Sequence, residues 1–241
     1  MPPARLQPGD VVEVGPALVR LRVNPRARRL TLSVSGGQVT ATAPSARRLR
    51  EVLEFARTRS DWIARQVAAA PPAQPFVPGA RVPLRGELLE LRAVEGRGTA
   101  RITGGAIVSG GEGEAFSRRV TNLMKREALA DFRARTAVHA AALGKPAPQV
   151  SVFDAGGRWG SCTPARRAVR YSWRVVTAPP WVLDYLSAHE TAHLVEPNHS
   201  PKFWALVTRL HGDPARARAW FRTHGPALQA LGRQAPAPAA T

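Results

Sequence analysis

Apolar and polar residues alternate along much of the first hundred positions. Val11, Val12 and Val14 precede a Gly-Pro turn, and Leu18-Val19-Arg20-Leu21-Arg22-Val23 alternates apolar with basic. Leu30-Thr31-Leu32-Ser33-Val34 alternates again, and Gly36-Gly37 turns the chain into Val39-Thr40-Ala41-Thr42. A period of two predicts strands with one face buried and one wet. Their short connections predict an antiparallel meander. Ser45 is placed to cap a helix over 46–69, whose apolar stripe is Leu49, Val52, Leu53, Ala56, Ile63 and Val67. Pro71-Pro72-Ala73-Gln74-Pro75 reads as a stiff linker. Short strands follow at Arg81–Leu84, Leu88–Arg92, Ala100–Ile102 and Ala106–Val108, separated by glycine-rich turns.

From Glu112 the period changes. Residues 114–143 predict a long helix with Phe116, Val120, Leu123, Phe132, His139 and Leu143 near one face and Gly144 as its stop. His139, with no metal-ligand spacing around it, reads as a core histidine. Gln149–Phe153 predicts a strand, and 156–162 a loop or strand start. Alternation over 169–176 predicts a strand with Val169, Tyr171, Trp173 and Val175 on one side. Pro179-Pro180 opens a helix. Ser200-Pro201 opens another, ending at His211-Gly212, and Asp213-Pro214 a third, ending near Gly225. The pattern predicts an α+β fold in three stretches. Residues 1–110 are a mainly antiparallel β segment with the one helix, 111–233 a second domain with a small sheet, and 234–241 a disordered tail rich in Ala and Pro.

Composition narrows the picture modestly. The 241 residues suffice for a real core, and 44% of them are hydrophobic. No stretch approaches the ~18 consecutive apolar residues of a membrane span, and the N-terminus lacks the apolar core of a secretory signal. A single cysteine, Cys162, fits a reducing compartment, so a cytoplasmic protein is expected. The formal charge of +18 invites a nucleotide or nucleic-acid partner. The lysines are only Lys125, Lys145 and Lys202, and the arginines are spread along the whole chain. That spread suits a coding bias as well as it suits a binding surface.

The chemistry lies in Leu186-Ser187-Ala188-His189-Glu190-Thr191-Ala192-His193-Leu194-Val195-Glu196-Pro197-Asn198-His199. On a helix, His189 and His193 lie one above the other on one face and can share a metal ion. Glu190 is placed to take a proton from a metal-activated water. Pro197 and Asn198 stop the helix, so that His199 can return as third ligand and leave a fourth position open, the pattern of a catalytic zinc site. The six-residue step from His193 to His199 is also that of metzincins, but Glu196 stands where they have glycine, and no methionine follows Met124. Gluzincins use a later glutamate, and none follows Glu196. His199 is therefore the leading third ligand, ahead of Asp213, His211 and His224. Arg158, Arg174 and Tyr171 are candidates for substrate or transition-state contacts. Cys162 reads as structural.

Arg158-Trp159-Gly160-Ser161-Cys162, Tyr171-Ser172-Trp173-Arg174, Ala178-Pro179-Pro180, the two-histidine motif, Asn198-His199-Ser200 and Phe203-Trp204 together resemble the YgjP-like family of predicted zinc metallopeptidases, relatives of the SprT-like proteases. The resemblance is strongest over 145–225, with Ser172 where the family commonly has asparagine. It implies a zincin-like catalytic domain over 111–233, with zinc on His189, His193 and His199 and Glu190 catalytic. A zinc metallopeptidase acting on polypeptide is the expectation. The alternatives are a nucleoside triphosphate (UTP) pyrophosphohydrolase, as some family members are described, and a basic nucleic-acid-associated module with a structural metal.

Overall fold

In a computed structural model of the chain, which describes residues 6–35, 37–96, 98–154 and 158–234, the N-terminal alternation becomes a four-stranded sheet. Its strands are β1 (Val11–Val14), β2 (Ala17–Val23), β3 (Thr31–Ser35) and β4 (Gln38–Ala43). Along β2, Ala17, Val19 and Leu21 point inward while Leu18, Arg20 and Arg22 are exposed, as the period-two pattern requires. The sheet is not the expected meander. Its order is β1-β2-β4-β3, with β2 and β4 parallel and the outer pairs antiparallel. Burial accounts for the insertion. Val39, Ala41 and Ala43 of β4 are fully buried and take the centre, while β3, with only half-buried Leu32 and Val34, takes the edge.

The expected helix over 46–69 is a 3-10 turn at Ala46–Arg48 followed by two helices, α1 (Leu49–Arg57) and α2 (Ser60–Ala68). The apolar stripe has no member between Ala56 and Ile63, so nothing holds the intervening turn against the core. There the Thr58 hydroxyl donates to the Phe55 carbonyl at 2.9 Å, and Ile63 enters the core on a separate helix. Ser45 precedes the 3-10 turn but makes no side-chain cap.

The chain divides into two compact units, Met1–Ala73 with Arg233–Thr241, and Gln74–Gly232. The sequence reading divides it after residue 110 instead. The difference has a packing cause: Phe76, Val82, Leu84, Leu91 and Ile107 share one core with the long helix that follows them. The disordered tail expected over 234–241 lies outside the described residues from 235 onward.

The second unit opens on β5 (Arg81–Leu84), β6 (Glu87–Val94), β7 (Arg101–Thr103) and β8 (Ala106–Gly110), ordered β5-β6-β8-β7 with β6 and β8 parallel. This repeats the topology of the first sheet. The repetition reaches single hydrogen bonds: Gly9 N–H donates to Leu21 O and Gly79 N–H to Leu91 O, both at 2.8 Å. Leu21 N–H donates to Asp10 O and Leu91 N–H to Ala80 O, again at 2.8 Å. Gly9 and Gly79, each after a proline, hold φ of 103° and 83°, a left-handed conformation suited to glycine. The two sheets are copies of one β module.

The 30-residue helix α3 (Gly113–Ala142) buries Phe116, Val120, Leu123, Met124, Phe132 and His139, close to the expected stripe. It ends in a Schellman motif: Lys145 N–H donates to Ala140 O, Gly144 N–H to Ala141 O, and Gly144 has φ of 65°. A three-stranded sheet follows, made of β9 (Gln149–Phe153), β10 (Gly160–Thr163) and β11 (Ala168–Ser172) in the order β10-β11-β9. The strand expected over 169–176 stops at Ser172, and Trp173–Thr177 coil into a fully buried 3-10 turn. Three helices close the unit: α4 (Pro180–Ala192), α5 (Pro201–His211) and α6 (Ala215–Ala230). α6 does not stop near Gly225. It continues through Pro226 because Leu228, Gln229 and Ala230 beyond it are buried. Among the described residues, no helix is long and apolar enough to cross a membrane.

One polar clamp ties three of these helices together. Asp184 of α4 accepts from His139 Nε2 of α3 at 3.0 Å and from His211 Nδ1 of α5 at 2.8 Å. His139 is thus a satisfied core histidine. Burial pushes the Asp184 carboxyl up, but the bonds from His139 and His211 and their charge outweigh it and hold it at about 2. A depressed carboxyl adds stability above its unfolded value of 3.8, and that stability is lost as pH falls through about 2. Asp184→Asn is therefore expected to lower stability at neutral pH and to flatten the acid limb of an unfolding curve between about pH 4 and 2. Urea midpoints across that range check this. An unchanged limb would show that the clamp does not contribute.

Candidate metal centre

α4 begins at Pro180, whose fixed φ and missing N–H suit a first helical position. Val182, Leu183, Tyr185, Leu186, Ala188 and Ala192 bury it on almost every side. Its buried hydroxyls are satisfied within the helix, Ser187 donating to Leu183 O and Thr191 to Ser187 O at 2.9 and 2.7 Å. His189 and His193 therefore stand on a rigid, packed helix with His193 at its C-terminal end. Residues 194–200 then loop back. Ser200 caps α5 by accepting from Phe203 N–H at 3.3 Å, and the turn carries His199 to the other two histidines.

The three imidazoles converge: one ligand nitrogen from each of His189, His193 and His199 lies within 4.8 Å of the others. His189 Nε2 and His199 Nε2 are 3.1 Å apart. His193 Nδ1 donates to Glu196 O at 3.1 Å, which fixes its tautomer and leaves Nε2 free to ligate. Burial, followed by the charges of His193, His199 and Arg218, lowers His189 to about 3, and burial also lowers His193. Both rings are thus neutral with a lone pair to give. Phe203 and Trp204 of α5 wall the cluster, Phe203 4.4 Å from the His193 ring and Trp204 5.7 Å from the His199 ring. A convergent triad of imidazoles, with His193 fixed in tautomer and His189 and His193 held neutral, suits a divalent metal such as zinc. Among the described residues it is the one cluster with that geometry.

Glu190 is 5% exposed. A Cβ added at Gly160 would fall 2.6 Å from its Cδ, so β10 approaches the carboxylate with bare backbone. Burial pushes the Glu190 carboxyl up to about 8, with Arg158 pulling the other way. Cys162 is half-buried nearby and raised to about 11 by burial and then by Glu190, so its thiol stays protonated.

Of the three candidates for substrate contacts, Arg158 and Tyr171 both interact electrostatically with Glu190, while Tyr171 and Arg174 are buried. Arg158 is exposed and its charge acts on Glu190. Tyr171 is fully buried, stacked on Phe132 at 3.9 Å, with its hydroxyl 2.8 Å from Thr136 Oγ1. Arg174 is 2% exposed, paired with Asp154 and donating to Leu231 O at 3.1 Å. His211 faces Asp184 rather than the cluster, and Asp213 and His224 also lie outside it.

A cleft of about 390 Å³ opens beside His189 and Glu190, lined by Trp159, Tyr185, Leu186, Phe221, Arg218 and Arg222. Its α6 side is absent from the sequence reading. The signal available there was helical spacing: Arg218 and Arg222 are one turn apart, with Phe221 between them.

The family described as YgjP-like, metallopeptidase domain, matches residues 28–224. The chain belongs to the YgjP-like family. The match spans most of both compact units, so the YgjP-like domain includes the N-terminal sheet from β3 onward as well as the histidine cluster. No curated protein and no solved structure matches the chain.

Proposed function

We propose that the protein is a zinc-dependent peptidase of zincin-like design, with His189, His193 and His199 as ligands and Glu190 as general base. The observation that carries this reading is the convergence of the three histidines beside a buried glutamate at the end of one helix. When bound, the metal supplies Lewis-acid polarisation of a carbonyl and lowers the pKa of a water. Glu190 takes the proton of the attacking water and returns it to the leaving amine. A cation on the three imidazoles would also draw the Glu190 carboxyl down from about 8, leaving the carboxylate poised near neutral pH. Arg158, whose charge acts on Glu190, is a cation available to offset a developing oxyanion. The edge strand β10, one end of which faces Glu190, offers unpaired backbone groups to an extended peptide.

Purified protein loaded with Zn²⁺ is expected to cleave an unfolded polypeptide and to leave UTP intact. Pyrophosphate release from UTP without any peptide cleavage would replace this reading with the nucleotide one. His199→Ala is expected to weaken zinc binding by more than the roughly 10–100-fold that a ligand's hydrogen-bond partner is worth. Competition against a chelator measures it, and unchanged affinity would remove His199 from the ligand set.

A further inference from the structure

The cleft beside the histidines joins two unlike surfaces. Its walls are aromatic and apolar: Trp159 and Phe221 stack at 5.3 Å, and Tyr185 and Leu186 complete them. At about 390 Å³ it is at the small end of ligand pockets, which run roughly 300–1,000 Å³. That room suits one large side chain and its neighbour. Gly225 keeps the Trp159 wall in place, since a Cβ there would fall 3.1 Å from the indole. The α6 side is cationic. Arg218 lies over the Trp204 ring at 4.9 Å, and Arg222, one turn further on, is exposed. Among the described residues, neither arginine forms an ion pair with a carboxylate. Like charges one turn apart repel, and no acid on α6 relieves them. An anion arriving with the ligand would.

We propose that this cleft is a specificity subsite for a large apolar or aromatic residue followed by an acidic one, the ring packing against the wall made by Trp159, Tyr185 and Phe221 and the carboxylate pairing with Arg218 and Arg222. The inference rests on the peptidase reading for its choice of a peptide as ligand. The guanidinium pair can take the carboxylate through charge-assisted hydrogen bonds, which are stronger than neutral ones. His189 and Glu190 line the same cleft, so a residue seated there lies next to the reacting bond.

Calorimetry on zinc-loaded Glu190→Gln protein, in which turnover is expected to be slowed about 10²–10⁴-fold, tests the subsite apart from the chemistry. Four capped peptides differing only at a central pair (Phe-Glu, Phe-Gln, Ala-Glu, Phe-Lys) are titrated, with UTP as a fifth ligand. Phe-Glu is expected to bind about tenfold or more tighter than Phe-Gln and Ala-Glu. Arg222→Gln should remove the Glu preference, and Arg222→Glu should turn it toward Phe-Lys; the residue is exposed, so both should fold. Equal affinity for all four peptides, or indifference to Arg222→Glu, overturns the subsite while wild-type cleavage leaves the peptidase reading standing. The expected preference without wild-type cleavage keeps the subsite and removes the peptidase reading. UTP binding tighter than any peptide, and lost in Arg222→Gln, overturns both.

Discussion

Glu190→Gln is expected to lower kcat/KM for peptide hydrolysis by about 10²–10⁴-fold, the range general acid–base groups contribute, with zinc content unchanged. Glutamine has the shape of glutamate, so the fit against Gly160 survives, and the three histidines are untouched. What disappears is an oxygen that can hold the proton between the attacking water and the leaving amine. The loss should fall on kcat and leave KM nearly unchanged, because Glu190 acts on the water and not on the substrate's binding groups. Metal analysis alongside steady-state kinetics separates the cases. Full activity in the variant would dismiss Glu190 as base, and activity lost together with zinc would make its role one of holding the site together.

The histidine cluster was legible in the sequence because its geometry is local. His189 and His193 are four apart on a helix whose start Pro180 announces, and Pro197 forces the turn that returns His199. Features set by distant partners were not legible. β4 displaces β3 from the sheet centre because of relative burial, which alternation alone does not rank. The alternation through Trp173 and Val175 imitates a continuing strand, yet both side chains are buried in a 3-10 turn. α6 runs past Gly225-Pro226 because of what Leu228 and Ala230 bury beyond it. The cleft needed α6 placed against α4 before Arg218 and Arg222 could be seen beside Glu190. The doubled β module is a different case. Its signal, Pro-Gly before a short strand and Leu-Arg at matching places, stands in the sequence at Gly9, Leu21 and Arg22 and again at Gly79, Leu91 and Arg92. It was obscured because the two copies bury different side chains, Ala41 and Ala43 in one against Ile107 and Ser109 in the other.

Arg174→Met should separate structure from chemistry at the residues first grouped as substrate contacts. Arg174 is 2% exposed, lies 4.4 Å over the Trp173 ring, pairs with Asp154 and donates to Leu231 O. Methionine fills part of the stem's volume but leaves the Leu231 carbonyl without that donor and strips the cation from the indole face. Breaking one side of a buried pair costs about 3–5 kcal/mol. The Asp154 side chain is 45% exposed and can regain water, so about 3 kcal/mol is expected. That loss should appear as a lower urea midpoint at unchanged slope. The kcat of the folded fraction should stay close to wild type, since the guanidinium is held by Asp154 and Leu231 and is absent from the cleft lining. Arg158→Ala should show the reverse: stability within about 0.5 kcal/mol, as for an exposed side chain, and a fall in kcat/KM. If Arg174→Met instead lost activity at full stability, the guanidinium would belong to the reaction, and burial at this position would have been the wrong guide to its role.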